Sequence, residues 1–336
     1  MTTTNYPTKE LTWQIRGNIA IGAGAAPSSE TDFYWKLKEV LTGKTGPDWA
    51  AITTPWTVVQ SCNSVTVSDS GVDLLDTANK FVFSDEDGAH SWIVLQQPIT
   101  GMQLLISSNH NGVKWFTVSA SWVGFTGGTT TANPAAGDAV SLVTSNGQQQ
   151  PFSNSQGTGF LHVWHSIDGA HTRIAACISS VTTFFATFDK VTAQTGITWT
   201  NPSVCSCRYG VDWPSPVVTF NNYKYYANMH CSIGGVLGTL YCTCETWGDQ
   251  GYPVNFTTAM ASTGTWCVAP IPGLWGTSGK YAMPSSAGAS ALPDILWGCT
   301  NIVNGSGYLE PGTGERNWVQ LGNFVLPWDN TVIQTA

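Results

Sequence analysis

The 336-residue sequence predicts a mainly β fold, an antiparallel β-sandwich or jelly-roll-like arrangement with one short N-terminal helix. Three features lead there: many short β-branched or aromatic runs separated by Gly, Asn, Asp and Pro; an Asp-Gly turn between two such runs; and one segment with helical spacing and a signal at each end.

The helix is expected over residues 32–41. Thr31 or Asp32 can cap its start, Phe33, Leu37, Val40 and Leu41 make an apolar face, and Gly43 stops it. Strands are expected at residues 56–60, 80–83, 91–95, 103–107, 113–118 and 139–143, each a short apolar run bounded by turn residues. The clearest hairpin joins residues 160–167 to 172–178, because Asp168-Gly169 lies between them. Alternation puts His162 and Trp164 on one face of its first strand, and Val163, His165 and Ile167 on the other. Phe184, Phe185 and Phe188 predict a further strand. Later strands are expected at 217–226, 236–243, 265–268 and 318–326, with a loop-rich stretch between 270 and 314. The Thr-, Asn-, Pro- and Ser-rich segment near 193–216 suggests two units: 1–195, a sandwich-like domain, and 196–336, a second β-rich domain or an extension of the first.

Composition narrows the function. Charged residues are 10% of the chain, against roughly 25% in ordinary soluble domains, while 42% hydrophobic residues and 16 Trp supply ample surface to bury. The 13 Lys and Arg are scattered within a net charge of −8, so no basic stripe is present to bind nucleic acid. No apolar run approaches the ~20 residues needed to span a bilayer as a helix, and the N-terminal residues lack a secretory signal, so a soluble chain made in the cytoplasm is expected.

Catalytic motifs are sparse. Gly-x-Ser-x-Gly is absent, and the Gly22-to-Pro27 stretch has Pro where a dinucleotide fingerprint needs its third Gly. Asp85-Glu86-Asp87-Gly88 lacks the later Glu of a calcium loop, and no carboxylate pair is marked out for glycoside hydrolysis. No enzymatic activity and no cofactor are expected.

The nine cysteines are odd in number and irregular in spacing. Cys205, Cys207, Cys231, Cys242 and Cys244 form the densest group. In a strand, each Cys-x-Cys pair places two thiols on one face, whereas structural zinc sites usually use Cys-x₂₋₄-Cys on a turn. Small core cysteines are therefore the default, a late disulfide is the middle option, and bound metal is expected to be absent.

The tryptophans divide. Trp13, Trp35, Trp56, Trp92, Trp115 and Trp164 lie in or beside apolar patterns and are expected in the core. Trp199, Trp213, Trp247, Trp275 and Trp297 sit among Gly, Pro, Asn and Asp, and Trp328 follows Pro. Of this group Trp213, Trp247, Trp275, Trp297 and Trp328 are candidates for subunit contacts or for stacking on sugars.

Pro293-Asp-Ile-Leu-Trp-Gly298, Arg316-Asn-Trp-Val-Gln-Leu-Gly-Asn323 and Val325-Leu-Pro-Trp-Asp329 mark the C-terminal region. Together with Phe33-Tyr-Trp-Lys-Leu-Lys38, Trp56-Thr-Val-Val59, His90-Ser-Trp-Ile-Val-Leu95 and Phe125-Thr-Gly-Gly-Thr-Thr-Thr-Ala-Asn-Pro134, they run from about residue 30 to the end. In these landmarks the sequence resembles a family of uncharacterised virion proteins of tailed bacteriophages and prophages, from which the cysteines near 205–244 depart. The resemblance implies a place in the head decoration, neck or tail among other virion proteins, and it offers no catalytic residues to transfer; the low charge and the Trp-containing loops add the expectation of a homo-oligomer, for example a trimer. A receptor-binding protein that recognises host-surface glycans is the alternative, and a polysaccharide-degrading tail enzyme is less favoured.

Overall fold

A computed structural model describes residues 10–22, 28–76, 81–83, 88–108, 116–142, 159–178, 181–190, 203–209, 228–233, 236–242, 267–270, 273–276, 293–294, 296–299, 318–321 and 324–328. The elements run β1 (Trp13–Ile21), α1 (Ser28–Leu41), β2 (Thr57–Asn63), β3 (Val67–Ser68), β4 (Ser91–Gln96), β5 (Gln103–Ser107), β6 (Thr117–Ser121) and β7 (Val140–Ser141). They continue with β8 (Gly159–Ser166), β9 (His171–Ile178), β10 (Val181–Lys190), β11 (Ser203–Tyr209), β12 (Asn228–Ile233) and β13 (Val236–Cys242). The last are β14 (Cys267–Pro270), β15 (Gly273–Gly276), β16 (Leu296–Cys299), β17 (Trp318–Leu321) and β18 (Phe324–Pro327).

The fold is mainly β, with antiparallel sheets and one described helix, as the alternation of short apolar runs predicts. An eight-stranded sheet has the order β1-β8-β9-β10-β11-β12-β13-β15, and a six-stranded sheet has β3-β2-β4-β5-β6-β7. A four-stranded sheet has β14-β16-β18-β17. The large sheet crosses the compositional boundary near residue 195 without a break in strand order, since β10 and β11 pair from Phe184↔Tyr209 to Lys190↔Ser203.

The main core lies where one face of the large sheet meets one face of the six-stranded sheet and α1. Leu161, Val163, Ile174, Ala176, Ala186 and Phe188 come from the first, and Ile93, Leu95, Leu104, Ile106, Val118 and Ala120 from the second. Their spacing of two follows from strand alternation. The other face of the six-stranded sheet carries Cys62, Trp92, Val94 and Leu105, which pack with Phe125 in a smaller core.

Helix α1 begins earlier than its expected cap. Asp32 lies within it, where its carboxylate accepts the Gly22 N–H at 2.6 Å and pairs with Lys36 at 3.0 Å. The C-terminal stop is as expected: Gly43 has φ 73°, its N–H reaches the Val40 carbonyl, and the Lys44 N–H reaches that of Glu39. Phe33, Leu37, Val40 and Leu41 are all buried against the sheets.

Several strand boundaries differ from expectation. Residues 81–83 are not a strand: the Val82 N–H is met by the Ser91 hydroxyl, while its carbonyl accepts from Ser91 N–H and Ser108 Oγ. Serine hydroxyls thus make two of these three bonds in place of a regular ladder, and Phe81 packs edge-on to Phe116 at 5.2 Å. The strand expected at 113–118 starts instead at Thr117, with Trp115 outside the described residues. The run at 318–326 divides into the hairpin β17–β18, and the loop-rich stretch contains β15 and β16. The strand expected at 217–226 lies outside the described residues.

Candidate functional site

The densest polar constellation among the described residues lies on the face of the large sheet turned away from the main core. Cross-strand partners share a face, so the pairs Trp13↔Ser166, Ile15↔Trp164, Trp164↔Arg173, Arg173↔Thr187 and His171↔Asp189 define it. A turn at Pro293–Asp294 and the segment ending at Trp328 close over this face.

Arg173 is the hub. Its guanidinium is fully buried, meets Asp189 Oδ1 at 3.1 Å and donates to the Asp294 carbonyl at 3.0 Å. It also donates to the Pro293 carbonyl and lies over the Trp13 ring, 4.7 Å from its centroid. Burial lowers the Arg173 pKa from its ordinary value, and the charges of Asp189 and Asp294 oppose that shift. The same Asp189 oxygen is 2.8 Å from His171 Nδ1.

Asp294 gathers the N-terminal strand. Its carboxylate accepts the backbone N–H groups of Glu10 at 2.6 Å and Leu11 at 2.8 Å, and the Trp13 indole N–H at 2.7 Å. The residue has φ 52°, a left-handed conformation that Asp adopts more readily than most residues. Two segments nearly three hundred positions apart are thereby tied by one side chain.

An aromatic cluster adjoins this network. Trp164 donates its indole N–H to the Pro327 carbonyl at 2.7 Å, and Trp328 lies edge-on to His162 with ring centroids 5.4 Å apart. His162 Nδ1 accepts the Asn18 N–H at 3.1 Å, so that nitrogen carries no proton. Burial lowers the His162 pKa from 6.5 to about 4. The expected alternation is present, with His162 and Trp164 on this face and His165 on the core side. There His165 bonds the Thr172 hydroxyl at 3.0 Å and the Thr54 carbonyl at 2.9 Å. Burial also lowers the His165 pKa.

Ser166, His171 and Asp189 are the residue types of a hydrolytic triad, but their bonds are of another kind. The Ser166 hydroxyl donates to Asp168 at 2.5 Å and accepts the main-chain N–H of His171 at 2.9 Å, while the imidazole of His171 turns to Asp189. A nucleophile would need its hydroxyl on the imidazole. These groups stabilise the β8–β9 turn and the strand beside it.

The candidate contact tryptophans take different places. Trp328 is only 6% exposed and fills space beside Gly17, so its ring is inside its own chain and not on a subunit surface. The expectation of a contact there is corrected: the preceding Pro327 carbonyl is held by Trp164, which turns the following ring inward. Trp275 stands opposite Leu240, and Trp297 opposite Ala269 and Phe324. Trp213 and Trp247 lie outside the described residues. Of the tryptophans expected in the core, Trp13, Trp35, Trp56, Trp92 and Trp164 are buried.

The strand registers also separate the cysteine group. Cys205 stands opposite Phe188 and His230 in the register, and Cys207 opposite Ala186. Cys231 stands opposite Val204 and Gly238, and Cys242 opposite Gly273. Cys244 and the acidic residues Asp85, Glu86 and Asp87 lie outside the described residues. No three His, Cys, Asp or Glu side chains among the described residues form a metal-binding group.

Large apolar side chains remain exposed near the edge strand β3: Val65 at 81%, Val72 at 51% and Val67 at 37%. The turn before β3 is fixed by Asn63, whose side-chain oxygen accepts the N–H groups of Val65 and Thr66 at 3.1 and 2.9 Å. Its geometry is thus determined within the chain although its apolar groups face water. No helix among the described residues is long and apolar enough to cross a membrane. No family model matches the chain, and no significant match occurs among curated proteins or solved structures.

Proposed function

We propose that the chain is a structural component of a bacteriophage virion, in the head decoration, neck or tail, and that it acts through contacts with copies of itself and with other virion proteins. The observation that carries the reading is the exposed apolar edge at Val65, Val67 and Val72, on a chain with only 10% charged residues. Exposed valines beside an edge strand favour association, and few ionic groups oppose it. The resemblance of the landmark segments to virion proteins points the same way. The polar groups of the candidate site support a structural role too, because they close the chain on itself.

The test is sedimentation of the purified full chain alongside the variant carrying Val65→Lys and Val72→Lys. Both positions are exposed, so the monomer fold should survive the change. The wild type is expected to form a discrete oligomer and the variant to dissociate. A wild type that stays monomeric at the highest attainable concentration, and binds a host glycan as a monomer, would overturn self-assembly and favour the receptor-binding reading.

A further inference from the structure

We propose that Cys267 and Cys299 are a redox-sensitive pair that forms a cross-strand disulfide and staples β14 to β16. The two strands pair antiparallel in four consecutive positions, Cys267↔Cys299, Val268↔Gly298, Ala269↔Trp297 and Pro270↔Leu296. Directly opposed residues of an antiparallel pair share a face and have Cα atoms about 4.5 or 5.5 Å apart, within the range of about 4.4–6.8 Å that a disulfide spans. Cys205, Cys207, Cys231 and Cys242 have no such relation, since their cross-strand partners are Phe188, His230, Ala186, Val204, Gly238 and Gly273. Within the described strands, the register therefore singles out a pair that spacing along the chain does not.

The location gives the bond a purpose. Strand β14 is at the edge of the four-stranded sheet, with β16 as its partner. Pro270 at its end has no N–H for a ladder and suits that edge. Cys267 and Cys299 occupy the terminal pair of the ladder, where a cross-link limits fraying of the edge strand. In the reaction two S–H bonds break and one S–S bond forms. Two electrons and two protons pass to a small-molecule disulfide such as glutathione disulfide, which becomes two thiols.

The experiment uses the full chain, reduced and then exchanged into glutathione disulfide. Remaining thiols are alkylated, and the protein is digested without reduction for mass spectrometry. A joined peptide containing Cys267 and Cys299, lighter by two hydrogen atoms than the sum of its parts, is expected. Alkylation should be lost at both positions and restored at Cys299 in Cys267→Ser. Hydrogen exchange over residues 267–270 should quicken on reduction of the wild type but not of Cys299→Ser. Full alkylation of both thiols in the oxidised wild type, or recovery of either joined to a different cysteine, would overturn the proposal.

Discussion

His162 is held neutral by burial, and its pKa falls from 6.5 to about 4. The unfolded chain therefore binds a proton that the folded chain refuses between those values. Stability is fully present above pH 6.5 and declines as pH falls toward 4, by roughly 3 kcal/mol from this residue. His165, also shifted down, adds in the same direction. Denaturant titrations at several pH values should show the decline, and His162→Gln should flatten it; an unchanged slope would contradict the assignment. Arg173 responds to substitution rather than to pH. Arg173→Met removes the guanidinium from the buried Asp189 carboxylate, leaving His171 beside it, and should cost roughly 3–5 kcal/mol in chemical denaturation, with part recovered when Asp189→Leu is added. Little of this network is legible in the sequence. Alternation does place His162 beside Trp164, but the Arg173 bond to the Asp294 carbonyl spans 121 positions, and no local pattern marks such a partner.

At the scale of elements, legibility follows regularity. Strands β4 and β5 and the β8–β9 hairpin repeat every two residues and match their expected places within a residue or two. Strand β1 is not predicted, because its register shifts between Arg16 and Ile19 and Asn18 takes φ 56°. That bulge interrupts the alternation a sequence reader relies on. It also brings Gly17 under Trp328, where an added Cβ would lie 2.5 Å from the indole ring. Gly17→Ala should displace that ring and cost about 1–3 kcal/mol, read by denaturation and by a shift in tryptophan emission. Gly169 tests the hairpin turn: it has φ 75°, and an added Cβ would meet the Thr54 side chain at 2.6 Å. Gly169→Ala should cost about 2 kcal/mol through strain and crowding.

For the whole molecule, one large sheet joins β1 to strands lying between Gly159 and Gly276, and Asp294, Pro327 and Trp328 from beyond them close over its outer face. Sequence composition anticipates the β-rich class but not this closure, because strand order in a sheet depends on contacts between distant segments. Trp328 packs within its own chain, whereas Trp297 is one of the tryptophans expected at contacts between subunits. Trp297→Ala should weaken assembly by roughly 2 kcal/mol in a dilution series while the melting temperature of the monomer holds. A fall in monomer melting temperature instead would place Trp297 in the core. Membership of a particle is tested most directly by quantitative mass spectrometry of purified virions from the host carrying the gene. Several copies of the chain per particle, at a fixed ratio to the major capsid protein, are the predicted result; purified particles free of the chain, with the chain recovered only in the unassembled fraction, would contradict it.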